Sequence, residues 1–150
     1  MEPAEQGFYG HVVFCDDVRR EIDGKLTLVG VYSGNLTVFG GFPAVLPKLC
    51  VVAWLKGPLA DLMTCTKITL AGAPLGDVRP ELDLGEKLKP SFASNDAARR
   101  QLTAILPLAP CTLYEAGAIV VNAETETGML TIGKLEVTVA PTEESSVGVG

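Results

Sequence analysis

Short segments in which apolar and polar residues alternate run through most of the chain. Residues 49–55 are the strongest case, because apolar residues fill both the odd and the even positions, as in a strand covered on both faces. The chain contains 16 glycines and 10 prolines, which separate the segments before any helical stripe of useful length develops. The pattern predicts an all-β chain: a two-layer antiparallel β-sandwich with at most short helical turns, in which residues 49–55 form a central strand.

The first pair of strands is predicted in residues 11–33. Asp23-Gly24 divides this segment and favours a two-residue hairpin turn, since these residue types tolerate positive φ angles. The register that follows sets Val18 opposite Val29. It places two apolar sets on opposite faces of the hairpin. One face carries Val18, Ile22, Val29 and Val31, and the other face carries Leu26 and Leu28. A helix over residues 16–22 stays open as an alternative, because Val18 and Ile22 are also four positions apart.

Three further strands and one helical turn are predicted in the middle region. Residues 35–39 and 64–70 are predicted strands, and the second of these has one polar face. Residues 71–98 are the least regular part, where Ser94 or Asn95 is placed to cap one helical turn through Arg99 and Gln101. Residues 102–108 alternate again, and we expect this strand to stop within residues 107–110 because proline donates no ladder hydrogen bond.

The last third of the chain predicts a long hairpin. Residues 118–124 and 129–139 are its strands, and Thr127-Gly128 is its turn. Apolar residues occupy even positions up to Ile132 and odd positions from Leu135. This change of phase at Gly133 predicts a β-bulge or a crossing between sheets. Residues 141–150 lack an apolar period and are predicted to be a flexible tail, so the expected domain is residues 1–140.

Charge and composition narrow the class of partner. The formal net charge of −6 has the wrong sign for neutralising many phosphates or binding an anionic membrane, so neither nucleic acid nor a membrane is an expected partner. The hydrophobic share of 47% counts the 3 tyrosines and leaves out the 16 glycines. Counted with glycine and without tyrosine, the apolar share is roughly 56%, which is higher than the roughly 45–50% of ordinary domains. The excess predicts that a second copy of this chain or another protein covers part of the apolar surface.

No segment predicts export or a membrane span. The first ten residues carry Glu2 and Glu5 and lack the basic and apolar parts of a secretory signal. The longest dense apolar run, residues 49–55, is far shorter than the roughly 20 residues of a spanning helix. The four cysteines are too far apart in sequence for a zinc or dithiol redox motif: Cys15, Cys50, Cys65 and Cys111. We expect reduced, buried thiols in a cytoplasmic protein, and two disulfides, with three possible pairings, stay open.

Several stretches of the first third resemble a known family. They are FCDDVR (residues 14–19), GKLTLVGVY (residues 24–32), FPA (residues 42–44) and LPKL (residues 46–49). Together they resemble a family of short bacterial, often prophage-associated proteins with no assigned chemistry, and this resemblance implies a β-sandwich without naming a catalytic residue. EAGAIVV (residues 115–121) and LEV (residues 135–137) look like the last two strands of an immunoglobulin-like sandwich, a likeness of fold that does not determine function.

Four charged residues near the start are the candidate interaction site: Asp16, Asp17, Arg19 and Arg20. We expect an ion pair of Asp16 or Asp17 with one of the arginines or with a partner chain, because such pairs select the partner more than they add affinity. A calcium ion is the less favoured alternative, since adjacent strand residues point to opposite faces and no Asp-x-Asp series follows. No metal or cofactor is therefore predicted.

Catalysis is not predicted. His11 is the only histidine, so a Ser-His-Asp or Cys-His arrangement would have to use it, and Cys15, on the same predicted strand, is too distant for proton transfer. A glycine-rich phosphate loop is also missing from the sequence. Trp54, the only tryptophan, lies in the most apolar segment and is expected to be buried rather than exposed for sugar stacking.

The sequence thus predicts a non-catalytic protein-interaction or structural module that associates with itself. The alternative is a sandwich that binds a small ligand or carbohydrate through end loops, around residues 32–35 and 77–83. The three tyrosines are a separate candidate for a ligand patch, although each also fits a strand end: Tyr9, Tyr32 and Tyr114.

Overall fold

The computed structural model describes residues 7–84 and 99–141, and it is all-β, with 65% strand and 5% helix. The strands are β1 (Tyr9–Arg20), β2 (Leu26–Tyr32), β3 (Asn35–Val38), β4 (Ala44–Leu46), β5 (Leu49–Pro58), β6 (Cys65–Ala71), β7 (Glu81–Asp83), β8 (Arg99–Leu108), β9 (Cys111–Leu113), β10 (Gly117–Thr125) and β11 (Met129–Val139). One helical turn, α1 (Leu59–Leu62), and one 3-10 turn, Ala73–Leu75, complete the described elements.

Two sheets pack against each other around one core. The first sheet has the order β2-β1-β5-β8 and the second has the order β3-β11-β10-β6-β7, while β4 and β9 form a separate short pair. Leu49 and Leu55 from the first sheet share a buried cluster with Leu70 and Leu135 from the second. Apolar faces from both sheets thus meet in the interior, as in a β-sandwich. None of the helices in residues 7–84 and 99–141 is long and apolar enough to cross a membrane.

Strand β5 is central, as predicted. It pairs with β1 on one side and with β8 on the other, both antiparallel. Its core face contributes Val51 to the main cluster, and its outer face contributes Cys50 and Val52 to a second, smaller one. The continuous apolar run follows from this position, because residues 49–53 and Leu55 are buried whichever face of the strand they occupy.

The first hairpin forms, but its predicted register is wrong by one residue. The Glu21 N–H donates to the Lys25 carbonyl at 2.8 Å, and the Gly24 N–H donates to the Glu21 carbonyl at 3.0 Å. The loop therefore has three residues and ends on Gly24, whose φ of 92° is the left-handed conformation that closes such loops. Val18 lies opposite Leu28 instead of Val29.

The shifted register exchanges the two faces of β2. Val18, Leu26 and Leu28 now pack together, whereas Val29 and Val31 are exposed and Ile22 lies fully exposed at the tip. A one-residue slip has this effect because successive side chains of a strand point to opposite faces. The alternative helix over residues 16–22 is excluded, since β1 continues to Arg20.

The terminal hairpin is confirmed, including its irregularity. Strands β10 and β11 pair antiparallel, and their register shifts between Val121 and Asn122, where β11 has one extra residue at Ile132. The bulge lies beside the glycine that marked the change of phase. A Cβ on Gly133 would lie 2.8 Å from the Cβ of Val12, so the bulge is also where β11 approaches β1 of the other sheet.

One strand pair departs from the predicted antiparallel arrangement. Strand β3 is confirmed within residues 35–39, but it runs parallel to β11. Only Ser33 and Gly34 separate β3 from β2. The chain therefore passes directly from the edge of one sheet to the edge of the other, where β3 pairs with β11 and not with β2.

Other differences concern short elements. The helical turn predicted through Arg99 and Gln101 is wrong for those two residues, which begin β8, and its candidate caps Ser94 and Asn95 lie outside the described residues. Strand β8 ends at Leu108, within the predicted stop at residues 107–110. It includes Pro107, which an edge strand tolerates because its outer N–H positions need no partner. The predicted tail lies outside the described residues from position 142 onward.

Candidate interaction surface

All four predicted interaction residues lie on one extension of the first sheet. Strand β1 pairs with β5 only up to Cys15, but it pairs with β2 as far as Arg20. Residues 16–30 therefore form a two-stranded arm, called the β1–β2 arm below. A two-stranded ribbon is at best marginally stable alone, so the arm needs support from the rest of the molecule.

The arm folds over the outer face of the first sheet. Val18, Leu26 and Leu28 pack against the buried cluster of Cys15, Cys50 and Val52. Cys15 and Val18 are three residues apart and would point to opposite faces in a regular strand, so β1 changes phase between them. The β1–β2 ladder omits Asp16 and Gly30 at this point, and the φ of Gly30 is 69°. The irregularity thus turns the arm toward the sheet.

Asp16 supports the base of the arm. The Tyr32 hydroxyl donates a hydrogen bond to Asp16 Oδ1 at 2.8 Å, and a Cβ on Gly30 would lie 2.8 Å from Asp16 Cγ. Burial, followed by the hydrogen bond to the Asp16 carboxylate, raises the pKa of Tyr32 to about 12. Glycine at position 30 therefore leaves room for this carboxylate beside the strand.

Asp17 pairs with a lysine rather than with an arginine of the arm. Its Oδ1 lies 2.7 Å from Lys48 Nζ, and the two side chains are 37% and 42% exposed. The hydrogen bond from the Lys48 ammonium lowers the pKa of Asp17 and raises that of Lys48. Among the described residues no ion pair joins Asp16 or Asp17 to Arg19 or Arg20, because the chain before β5 brings Lys48 to the base of the arm. Arg19 contributes only a smaller electrostatic lowering of the pKa of Asp17. The expected pair with a partner chain stays a prediction.

The outward side of the arm combines a cation with apolar residues. Arg19 lies on this side, whereas Arg20 lies opposite Leu26, on the side that packs against the sheet. Arg20 also lines a cavity with Leu102 and Ile105. No ion pair joins Arg19 or Arg20 to a residue in the part of the chain that the structure describes.

Ile22 protrudes at the tip of the arm, and Val29 and Val31 are exposed on β2, which is an edge strand. Edge strands present unpaired backbone groups as well as side chains. Periodicity did not identify this surface, because the predicted register placed Val29 and Val31 with Val18.

The outer face of the first sheet also carries an aromatic pair. His11 lies opposite Trp54, and their rings are stacked with centroids 5.1 Å apart and planes inclined by 19°. The expectation that Trp54 is buried is wrong, because its side chain is half-buried and faces outward while its neighbours Ala53 and Leu55 fill the core. The stack engages the only histidine with an aromatic ring, whereas Cys15 lies opposite Cys50.

The end loops of the alternative hypothesis do not form a common site. Val78 and Pro80, from the loop of residues 77–83, line a cavity of about 140 Å³ with Tyr114, which is below the roughly 300–1,000 Å³ of small-molecule sites. Neither Tyr9 nor Tyr32 lines this cavity, so the tyrosines do not form one ligand patch there.

A larger groove lies elsewhere, at the turn of the terminal hairpin. It measures about 390 Å³ and is lined by residues 7–8, by Asp61 and Thr64, and by residues 125–130 without Glu126. Its lining combines one carboxylate and three threonine hydroxyls with the apolar side chains of Phe8, Met129 and Leu130. Two of its hydroxyls hold local turns: Thr64 Oγ1 donates to the Asp61 carbonyl at 2.7 Å, and Thr125 Oγ1 donates to the Gly128 carbonyl at 3.1 Å. The threonines around Thr127-Gly128 were the sequence signal for this groove, which the sequence analysis missed.

Residues 7–84 and 99–141 contain no group of three or more His, Cys, Asp and Glu side chains placed to hold a metal ion. Comparison of the chain with models of protein families, with curated proteins and with solved structures finds no match in any of the three.

Proposed function

We propose that this chain is a non-catalytic β-sandwich module that acts through protein–protein contact, with the outward side of the β1–β2 arm as its contact surface and a second copy of the chain as its partner. The observation that carries the proposal is the position of Ile22, fully exposed at the tip of an arm whose two leucines, Leu26 and Leu28, are packed. Val29 is exposed on the same arm, and apolar residues that are exposed together mark protein contact sites.

Charge supports a second copy as the partner. Arg19 and Arg20 carry no ion pair with the described residues, while the chain as a whole has a formal charge of −6. Another copy therefore offers an excess of carboxylates to the Arg19 guanidinium, which lies on the outward side of the arm. In a two-fold symmetric dimer both copies use the same surface, so each copy would supply a guanidinium group to one ion pair and a carboxylate to the other.

Sedimentation velocity over a range of concentrations tests this proposal. We expect the native chain to associate and Ile22→Ser combined with Val29→Thr to remain monomeric, because both changes remove exposed apolar area of the arm without touching the core. Phe39→Ser is the matched control, since Phe39 is 79% exposed but lies outside the arm. A native chain that stays monomeric at every concentration contradicts the proposal, as does an equal loss of association in the control.

Three further proposals concern the type of sandwich, the family and the location in the cell. We propose an immunoglobulin-like arrangement of the sandwich, a place in the short bacterial, prophage-associated family, and a cytoplasmic location. They rest on the sequence stretches 14–19, 24–32, 42–44 and 46–49 and on the strand pattern of residues 115–137.

The second candidate function is binding of a carbohydrate or small ligand. The observation that favours it is the 390 Å³ groove lined by Asp61 and three threonines, because hydroxyl and carboxylate groups suit a polyol ligand. Thermal unfolding in the presence of a panel of monosaccharides and oligosaccharides tests it. A stabilisation that Thr127→Ala abolishes supports it, and an unchanged melting temperature across the panel rejects it.

A further inference from the structure

Two cysteines that are distant in sequence face each other across neighbouring strands. Cys15 of β1 and Cys50 of β5 are direct partners in the antiparallel ladder, and both belong to the cluster on the outer face of the first sheet. Cα atoms of directly opposed residues in an antiparallel pair are about 4.5–5.5 Å apart. Disulfides need about 4.4–6.8 Å, so the two strands already hold this pair at a separation that a disulfide requires.

We propose that Cys15 and Cys50 form a specific disulfide site, in which a low-molecular-weight disulfide such as oxidised glutathione converts the two thiols into one cross-link between β1 and β5. The inference does not depend on the proposed function.

The reaction is an ordinary pair of thiol–disulfide exchanges. One cysteine thiolate attacks a sulfur of oxidised glutathione, which breaks the S–S bond of that molecule and releases one glutathione thiolate. The second cysteine thiolate then attacks the mixed disulfide, forms the Cys15–Cys50 bond and releases the second glutathione. The two cysteines each lose a proton and together lose two electrons, and two glutathione thiols are the reduced products.

The other two cysteines provide an internal comparison. Cys65 lies opposite Thr125 and Cys111 lies opposite Leu46, and both belong to the main core. All four cysteines are free and buried in the structure. Burial alone therefore does not distinguish them, whereas the ladder gives only Cys15 and Cys50 a cysteine partner among the described strands.

The β1–β2 arm controls access to the pair. Cys15 and Cys50 have at most 1% of their surface exposed, and Val18, Leu26 and Leu28 pack against their cluster. Burial is the largest cause that raises the pKa of both thiols, while the nearby Lys48 ammonium lowers that of Cys50. Since the thiolate is the attacking species, we expect the reaction to be slow, to accelerate with rising pH and to require local opening of the arm.

The test uses the reduced, folded full-length chain with oxidised glutathione, acid quenching and peptide mapping under non-reducing conditions. We expect an intact mass lower by two hydrogen atoms and a linked peptide pair containing Cys15 and Cys50. The variant Cys65→Ser combined with Cys111→Ser should form the same link, and Cys50→Ser should not. A folded chain that links Cys65 or Cys111, or that accumulates glutathione adducts on Cys15 or Cys50 without the link, overturns the proposal.

A second variant keeps the test decisive if the native arm opens too rarely. We expect Leu28→Ala to form the link about tenfold faster because it loosens the arm, and Val139→Ala, an exposed change on β11, to leave the rate unchanged. Absence of the link in both the native chain and Leu28→Ala rejects the disulfide site.

Discussion

Gly30 and Asp16 share a small space at the base of the β1–β2 arm. Gly30 has a φ of 69°, a conformation that costs a residue with a Cβ roughly 1–2 kcal/mol. A Cβ there would also press on the Asp16 carboxylate, which accepts the hydrogen bond from Tyr32. At the scale of single residues, therefore, one glycine allows both the turn of the arm and the contact that supports it.

We expect Gly30→Ala to lower the free energy of unfolding by about 2–3 kcal/mol, from backbone strain together with displacement of Asp16. Urea denaturation measures the change. Gly24→Ala is the matched control, because Gly24 also has a positive φ, 92°, but a Cβ there meets nothing within 4 Å. The control should cost only the strain, about 1 kcal/mol. Equal losses in the two variants would show that Asp16 is not displaced.

Tyr32 makes the arm sensitive to alkaline pH. Its pKa is about 12 in the folded chain against an ordinary value of 10.0. The folded state therefore holds the phenolic proton more tightly than the unfolded state. The resulting stabilisation is complete below pH 10 and is lost as the pH rises from 10 to about 12.

Asp16→Asn should lower the pKa of Tyr32 but leave it above its ordinary value, because burial, the larger cause, remains. The ultraviolet absorbance of tyrosinate measures this titration in a background of Tyr9→Phe and Tyr114→Phe. Asp17→Asn is the control, since Asp17 pairs with Lys48. A titration of Tyr32 that Asp16→Asn does not shift would contradict the role given to the carboxylate.

At the scale of elements, the bulge in β11 joins the two sheets. Its register shift lies at Ile132, whose side chain is buried, and the next residue approaches β1. The Cβ that Gly133 lacks would meet Val12 at 2.8 Å from Cβ and 3.1 Å from Cγ2. The bulge therefore permits a close contact between sheets that a regular strand with a side chain at this position would prevent.

Gly133→Ala should destabilise the chain by about 1–3 kcal/mol, because the added methyl group overpacks the contact with Val12. Equilibrium unfolding in urea measures the loss. Gly128→Ala, at a turn where a Cβ meets nothing within 4 Å, should change stability by no more than about 0.5 kcal/mol. Adding Val12→Ala to Gly133→Ala should cost less than the sum of the two single changes, and strict additivity would argue against direct contact.

At the scale of the whole molecule, one core connects the two sheets and the arm is attached outside it. Leu55 of β5 and Leu135 of β11 are both fully buried in the main cluster. The arm instead packs on the second cluster through three partly buried side chains. Regions with few buried apolar contacts open at lower free energy than the core, so the arm and the core should differ in stability.

Amide hydrogen exchange should reveal this difference. We expect the amides of Leu55 and Leu135 to exchange only through global unfolding, with free energies that agree within about 1 kcal/mol, because the two sheets unfold as one unit. Protected amides of residues 26–29 should exchange at lower free energy through local opening of the arm. Two different free energies of exchange for the amides of Leu55 and Leu135 would show that the sheets unfold independently. Amides of the arm that are as protected as those of the core would contradict its peripheral attachment.

Patterns within a few consecutive residues were sufficient to predict the central strand, the bulge and the position of the first hairpin. The central position of β5 followed from its two apolar faces, and the bulge followed from a phase change at Gly133. The hairpin at Asp23-Gly24 was predicted, but its register was not. Loops of two and three residues share the same glycine signal, and a single residue of difference exchanges the faces of β2.

The candidate surfaces depended on tertiary structure. The pairing of Asp17 with Lys48, 31 positions apart, and the opposition of Cys15 and Cys50 arise because β5 adds to β1 at one particular register. Alternation of apolar residues reports which side of a strand is buried, but it contains no information on which distant strand lies beside it. The sequence by itself therefore determined an all-β chain with a buried central strand, while the fold decided which charges, thiols and apolar side chains meet.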